Sequence, residues 1–311
     1  MIMTYDIITV GSATLDVFAD TDNEVIDIKT KKSDEKLIAY PLGSKILINE
    51  LNFEIGGGGT NTAVCASRLG LKAGYLGSIG EDNNGKRVLD LLEEEEVTFL
   101  GHLDKKMTNY SVVLDSIDND RTILVYKGAS ERFKLSKSKQ KELSAKWFYF
   151  CAMVGDAYKE LEKLSTYAKK NNIKIAFNPS SYLAEKGKKY LSKILKNTDM
   201  LILNKEEAEL IVGRDDKESM AKDLSKLGPK NVVITDGKEE IVVLYNNSIK
   251  KYKPKKSKAK ETTGAGDAFG SSLVSGLILK DDIDYAIKLA IKNSSCVVSK
   301  PGAKAGLIRL K

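Results

Sequence analysis

Residues 262–269 read Thr-Thr-Gly-Ala-Gly-Asp-Ala-Phe, and an apolar run follows at once (Ala268, Phe269, Leu273, Val274, Leu277, Ile278) at helical spacing. A loop of small residues therefore ends in one carboxylate, Asp267, at the start of a buried helix. Helix N-termini expose unpaired N–H groups and carry partial positive charge, so Gly264, Ala265 and Gly266 can wrap an anion closely. A carboxylate at the rim of such a nest can take a proton from a hydroxyl while the amides hold the charge of an incoming phosphoryl group. The chemistry this suits is phosphoryl transfer. Asp also caps helices readily, so Gly-x-Gly-Asp by itself describes a plain helix start equally well.

The rest of the chain bounds the choice. Its 311 residues, 42% hydrophobic and 30% charged, have the balance of a globular protein with ample core. That length fits two domains, or one large α/β domain with an appendage. No apolar run reaches the roughly 20 residues that span a bilayer. The opening Met-Ile-Met-Thr-Tyr-Asp has neither the basic nor the apolar region of a signal peptide, so the expected compartment is the cytoplasm. Cys65, Cys151 and Cys296 are far apart and form no CxxC pair, which disfavours a disulfide framework or a cysteine zinc site. A single histidine, His102, excludes multi-histidine metal sites and reads as structural or surface. The net charge of +7 is spread along the chain, densest at Lys251, Lys253, Lys255, Lys256, Lys258 and Lys260. With Tyr252 its only aromatic, that run makes a solvated face and a poor nucleic-acid platform.

Strand and helix signals alternate after residue 145. Trp147–Ala152, Ile173–Phe177, Met200–Leu203, Val232–Thr235 and Ile241–Tyr245 read as strands, with helices at 158–171, 205–212 and 216–227. Such alternation predicts a parallel sheet covered by helices on both faces. Ligands bind at the carboxyl ends of the strands in such folds. Ile7–Val10 reads as the first strand, 61–70 as a helix, 74–79 as a strand and 86–95 as a helix. Residues 17–56 and 97–127 give short strand signals (Lys45–Ile48, Leu51–Glu54, Tyr110–Leu114, Thr122–Tyr126), and a turn at Asp118-Asn119-Asp120, which suggests a small separate sheet.

Several further residues fall where a ligand would lie. Residues 56–61, Gly-Gly-Gly-Gly-Thr-Asn, let main chain approach a ligand closely, and Asn61 can donate and accept as a polyol hydroxyl requires. Asp16, after Gly11-Ser12-Ala13-Thr14, can accept two sugar hydroxyls. Asn204 and Glu207, as Asn-x-x-Glu between a strand and a helix, either cap that helix or order waters on a magnesium ion. Gly80-Glu-Asp-Asn-Asn-Gly85-Lys86 has the spacing of a Walker A loop, but Arg87 stands where Ser or Thr would ligate magnesium, so we reject it.

The order and placement of these pieces resemble the ribokinase-like (PfkB) family of carbohydrate and nucleoside kinases over nearly the whole chain. The front signature is Gly56–Ala63 with Arg68-Leu-Gly70 and Gly77-Ser-Ile-Gly-Glu-Asp82; the rear one is Thr262–Phe269. Between them lie Asn204, Glu207 and Val233-Ile-Thr-Asp-Gly237, and Pro301-Gly302-Ala303 closes the pattern. The resemblance implies a three-layer α/β/α sandwich with a mostly parallel central sheet, over residues 1–16, 57–96 and 128–311, and a β-sheet lid over 17–56 and 97–127. It implies ATP and Mg2+ as cofactors, with Asp267 as catalytic base and Gly264, Ala265 and Gly266 as anion hole. Asp16, Gly57 and Asn61 match the substrate grip. Asn204 and Glu207 match the pair near magnesium, Glu207 acting through water. Thr235 and Gly237 resemble nucleotide contacts, and Gly302 a contact beside the adenine. From the lid, Arg121, Tyr126 and Lys127 either reach toward the active site or are plain strand residues facing solvent.

Two residues depart from the pattern. Glu261 stands where the family has an Asp that in many members helps to bind an activating K+, so the resemblance leaves K+ as a cofactor open. Gly58 stands where the front loop usually has Lys, Ala or Asn. The implied acceptor is a hydroxyl of a small sugar such as ribose or fructose. A nucleoside of the adenosine, inosine, guanosine or cytidine type is the alternative, and a homodimer through the lid is implied too. A non-catalytic sugar-binding protein would be expected to lack Asp267, and a dehydrogenase would need a Gly-x-Gly-x-x-Gly after the first strand.

Overall fold

Strand segments such as Phe148-Tyr-Phe150, Leu201-Ile-Leu203 and Val232-Val-Ile234 are apolar without alternation, as strands buried on both faces must be. The computed structural model describes residues 4–21, 24–29, 34–115, 121–254, 263–300 and 302–310. In chain order, β1 (Thr4–Val10) opens the main sheet, and β2 (Thr14–Thr21), β3 (Glu24–Lys29), β4 (Asp34–Ala39) and β5 (Ile48–Gly56) lie outside it. Then come α1 (Gly58–Arg68), β6 (Ala73–Leu76), β7 (Ser78–Gly80), α2 (Asn83–Glu94), β8 (Thr98–Phe99) and β9 (His102–Asp104). β10 (Asn109–Asp115), β11 (Arg121–Tyr126), α3 (Lys137–Glu142), β12 (Ser144–Phe150), α4 (Asp156–Lys170) and β13 (Lys174–Phe177) follow. Next are α5 (Ser180–Ala184), α6 (Gly187–Leu195), β14 (Met200–Asn204), α7 (Lys205–Val212), α8 (Lys217–Lys226) and β15 (Asn231–Thr235). The chain ends with β16 (Ile241–Tyr245), β17 (Ser248–Tyr252), α9 (Ala265–Lys280) and α10 (Ile283–Val297).

The main sheet has the order β17-β16-β15-β14-β13-β12-β1-β6-β8. It is parallel from β15 to β8, and β16 and β17 add antiparallel at one edge. Alternate residues point to opposite faces. Ile7, Tyr149, Ile202 and Val233 pack with α1, α2, α9 and α10, whereas Ile8, Phe148, Phe150, Leu201 and Ile234 pack with α4, α6 and α8. Two cores thus flank one sheet, the three-layer α/β/α arrangement. Each such large apolar side chain contributes about 1.5–3 kcal/mol by burial, which overrides the weak helix or strand preference of any one segment.

Helix α9 is buried from Ala268 through Leu277. Its small residues bring it close to α10: a Cβ on Gly276 would lie 2.6 Å from the Cα of Ala286. This packing fixes the direction in which the helix presents its first turn.

The second sheet has the order β11-β10-β2-β5, so it draws on both strand-rich stretches. Its limits differ from the expected ones. Asp16 lies inside β2, in register with Ser111 of β10 and Glu54 of β5, and not in a loop after the first strand. Residues 98–104 join the main body, because the crossover through α2 returns the chain to the open edge, where β8 pairs with β6 and β9 with β7. Helix α1 starts at Gly58, three residues earlier than expected, because Ser12 O accepts from Gly59 N (3.0 Å) and anchors the glycines in a first turn. The turn at 118–120, the lysines at 255, 256, 258 and 260, and Glu261, Thr262 and Pro301 lie outside the described residues.

Candidate active site

The glycine loop between β5 and α1 stands over the carboxyl end of β1. Gly57 has φ +94°, and a Cβ there would lie 2.5 Å from Ser12 O, so glycine is required. At Gly56 a Cβ would fall 1.8 Å from Asp16 Oδ2, meaning that the Asp16 carboxylate fills the space a side chain would need. The same construction at Gly58 meets Asp267 Oδ1 at 3.5 Å. The bare loop thus lets two carboxylates from distant parts of the chain flank it. Burial raises the pKa of Asp16, and the Ser111 hydrogen bond, Lys304 and Lys127 oppose that rise.

On the other side, Gly264 caps α9 in the left-handed region (φ +76°) with no side-chain cap bond. The first-turn amides, from Ala265 to Asp267, have no acceptor within the helix. They open on a cavity of about 220 Å³ lined by Gly264, Gly266, Asp267, Asn178, Asn204, Glu207 and Thr235. Asn178, Asn204 and Thr235 stand at the carboxyl ends of β13, β14 and β15. Asp267 Oδ2 accepts from Asn61 Nδ2 at 2.8 Å. Burial raises the Asp267 pKa, with the Asn61 bond and Lys304 pulling against it.

Through Asn204, Thr235, Gly266 and Phe269 this cavity runs into a second one of about 350 Å³. Gly237 and Ala265 line the second cavity, and its wall is apolar at Ile241, Pro254, Ile291 and Val298. The trough therefore joins an anion-attracting helix end to an apolar slot. Asn204 and Glu207 form a reciprocal capping box on α7: Glu207 N donates to Asn204 Oδ1 (2.8 Å) and Asn204 N to Glu207 Oε2 (3.0 Å). The cap uses one carboxylate oxygen and leaves the group on the cavity wall. Burial raises the Glu207 pKa.

Not every expected residue joins the trough. Gly302 (φ +77°) packs against Glu54, 3.2 Å from its Cδ where a Cβ would stand, and does not line the slot. It belongs to the Asp16 side because the segment after α10 folds back on the glycine loop. Asn61 is only 6% exposed and engaged at both ends, to Asp267 and to Lys304, instead of presenting a free amide. Tyr126 is half-exposed, with Lys106 over its ring. The Arg121 side chain lies outside the described residues. His102 bonds Ser78 (3.2 Å) and stacks on Phe133, a structural role. In the rejected Walker-like stretch, Asp82 caps α2 by accepting from Gly85 N and also binds Thr108.

Lys304 is the functional candidate that sequence reasoning missed. It is buried between the glycine loop and α9, and one lysine among 50 Lys and Arg residues carries no mark. Among the described residues no three or more His, Cys, Asp or Glu gather as a metal cluster, and no helix is long and apolar enough to cross a membrane.

Residues 20–309 match the pattern of the pfkB family carbohydrate kinases. The chain is 26% identical over 266 residues to a ribokinase of Haemophilus influenzae, covering 82% of this chain and 85% of that one. It is 27% identical over 321 residues to an adenosine kinase of Saccharomyces cerevisiae, covering 92% and 93%. The fold matches that of Arabidopsis thaliana ribokinase, solved with ribose and ATP, at a TM-score of 0.82 and 19% identity, over 99% of this chain and 96% of that one. With the uncapped helix, its carboxylate and the trough already in place, the match over residues 20–309 shows that the chain belongs to the pfkB family of carbohydrate kinases, enzymes that transfer a phosphoryl group to an alcohol.

Proposed function

We propose that the protein transfers the γ-phosphoryl group of ATP to a hydroxyl of a small sugar, with Asp267 as the base. The observation that carries this is the position of Asp267: its carboxylate sits in the first turn of an uncapped buried helix, at the joint between the nucleotide trough and the glycine loop that also holds Asp16. The acceptor hydroxyl binds between Asp16 and Asp267, and Asp267 takes its proton as the oxygen attacks phosphorus in line. The amides of Ala265 and Gly266 face the charge that develops on the phosphoryl oxygens. Thr235 and Gly237 flank the phosphates and ribose, and the apolar slot receives the base.

A magnesium site fits the chemistry present. Magnesium keeps most of its waters and needs few protein ligands, and Glu207 is one buried acid on the cavity wall beside Asn204. These two residues would hold the ion through water, where it would screen charge between phosphate oxygens.

The test is ADP formation from Mg-ATP against pentoses, hexoses and nucleosides, with Asp267→Asn as control. Turnover on one acceptor class, lost in the variant, supports the reading, and undiminished turnover in Asp267→Asn refutes it. A nucleoside is the second reading, favoured by one detail beside Lys127 and Tyr182. Asn109 Oδ1 accepts from Gly128 N and Ser130 N, while Asn109 Nδ2 and Ser130 Oγ are buried with no hydrogen-bond partner among the described residues, beside a small cavity that both residues line. The edge of a nucleobase, with its acceptor atoms, would answer those groups.

The same proposal includes a homodimer through the second sheet. Leu51, Phe53 and Leu124 are each 46–56% exposed and share one face of that sheet by register, an apolar surface that a partner sheet would cover. Light scattering that gives a monomer mass at micromolar concentration would refute the dimer.

A further inference from the structure

Lys304 enters the site from the C-terminal segment and is only 6% exposed. Its backbone carbonyl accepts from Arg68 (2.7 Å), which is itself paired with Glu95. Its Nζ donates to Ile55 O and, at 2.5 Å, to Asn61 Oδ1, and lies 3.4 Å from Thr60 Oγ1. The ammonium thus occupies the space under the bare glycine loop. A cation taken out of water is retained only where partners compensate it. Its partners here are the carboxylates of Asp16, Asp267 and Glu54.

The chain of donors has one direction. Lysine has only donors and an ionised carboxylate only acceptors. Asn61 lies between them, so its Oδ1 must face Lys304 and its Nδ2 must face Asp267. Without the ammonium, the amide can flip and set an oxygen against the carboxylate, which then turns away.

We propose that Lys304 is a positioning residue for the transfer reaction: through Asn61 it orients the Asp267 carboxylate toward the acceptor hydroxyl, and its ammonium is that carboxylate's buried counter-charge. The inference rests on Asp267 being the base. Other titratable groups face Asp267 as well: Glu207 on α7, Cys65 on α1, and Tyr149 and Cys151 at the end of β12. Among these described groups Lys304 is the cation. Burial pushes its own pKa down to about 8, and the surrounding acids hold it up against that effect.

The test uses Lys304→Ala and Lys304→Met in the full chain with its best acceptor. A misplaced base costs on the order of 100-fold, so kcat is expected to fall about that much while the ATP KM stays within roughly threefold. Loss of the cation raises the Asp267 pKa, so the acid limb of the kcat–pH profile moves to higher pH. In Lys304→Ala, propylammonium should restore turnover and 1-propanol should not. Lys304→Met fills the volume, so thermal melting and ATP binding show that the variant is folded. Parental kcat in both variants overturns the inference. So does rescue by propanol equal to rescue by the amine, or a loss with an unmoved acid limb, since each means packing alone. A parent inert on every acceptor fails the kinase reading itself and the inference with it; an active parent with an unaffected Lys304→Ala fails only the inference.

Discussion

Replacing Asp267 by Asn changes one atom and isolates the base. The fold around it should survive. The introduced amide can turn its Oδ1 to accept from Asn61 Nδ2, keeping the bond that Asp267 makes at 2.8 Å. Lys304 loses one of its negative neighbours but keeps Asp16 and Glu54. Burial of the Asp267 carboxylate opposes its ionisation, so a neutral amide there relieves a desolvation cost. The helix amides are untouched, and a negative charge disappears from beside the phosphates, so Mg-ATP should bind at least as tightly. What vanishes is the proton acceptor. General-base catalysis is worth about 10²–10⁴ in rate, or roughly 2.7–5.4 kcal/mol of barrier at 1.36 kcal/mol per decade. Coupled ADP release gives kcat, and calorimetry with Mg-ATP gives nucleotide affinity. A variant within about tenfold of the parent, or under about 1.4 kcal/mol, would show that the proton goes elsewhere. A fall matched by lost ATP affinity would show that Asp267 serves binding.

Gly56→Ala would put a Cβ 1.8 Å from Asp16 Oδ2 and displace the carboxylate. Losing a charged hydrogen bond should raise the acceptor KM at least about tenfold, with the ATP KM unchanged; an unaltered acceptor KM would remove Asp16 from the grip. Glu207→Gln keeps the capping box, which Gln also makes, but removes the charge. The half-saturating Mg2+ concentration should rise about tenfold or more with little change in melting temperature, and an unchanged Mg2+ requirement would assign Glu207 to the cap alone. Because burial raises the Asp267 pKa above its ordinary 3.8 and the ionised form is the base, kcat should fall as pH drops through a midpoint above that value. A kcat profile flat down to about pH 4, the ordinary carboxylate range, contradicts it.

The legible part of the sequence was the part whose physics is local. Unbroken apolar strands such as Leu201-Ile-Leu203 require two buried faces, and α7 came out at Lys205–Val212, the expected residues, because Asn204 and Glu207 cap it from within the same turn. The place of Asp267 in the first turn of a buried helix was readable because the loop glycines and the apolar helix adjoin it in sequence. Features decided by distant contacts were not readable. The assignment of Thr98–Phe99 to the main sheet depends on the free edge of β6, and the pairing of His102–Asp104 on β7. The first turn of α1 runs through glycines that would break an isolated helix, and Ser12 O holds it. Asp16 and Lys304 reach one glycine loop from distant positions on either side of it in sequence. Nothing in their own neighbourhoods marks the approach of a buried lysine to a distant carboxylate.

The distribution of charge at the joint also bears on the acceptor. On its side of the glycine loop the described cations are Lys304 and Lys127, and each is already engaged. Lys304 is bonded to Asn61 and Ile55. Lys127 lies over the Tyr182 ring at 4.5 Å, with Glu131 and Asp16 as the acids that oppose the lowering of its pKa by burial. A phosphate on the acceptor would have to draw these cations away from Asp16, whose charged form burial already disfavours, and leaving it uncompensated is a larger loss than the new ion pair returns. Polyol hydroxyls need no such exchange, since Asp16 accepts from them with its charge still balanced. A hexose or pentose should therefore turn over about 100-fold better, by kcat/KM, than its monophosphate, the discrimination that an uncompensated buried polar group produces. Competition between the two acceptors at equal concentration, read as phosphorylated products, gives that ratio directly. A preference for the monophosphate would mean that Lys127 is released from its acids when substrate binds, and that the acceptor pocket is built for an anion.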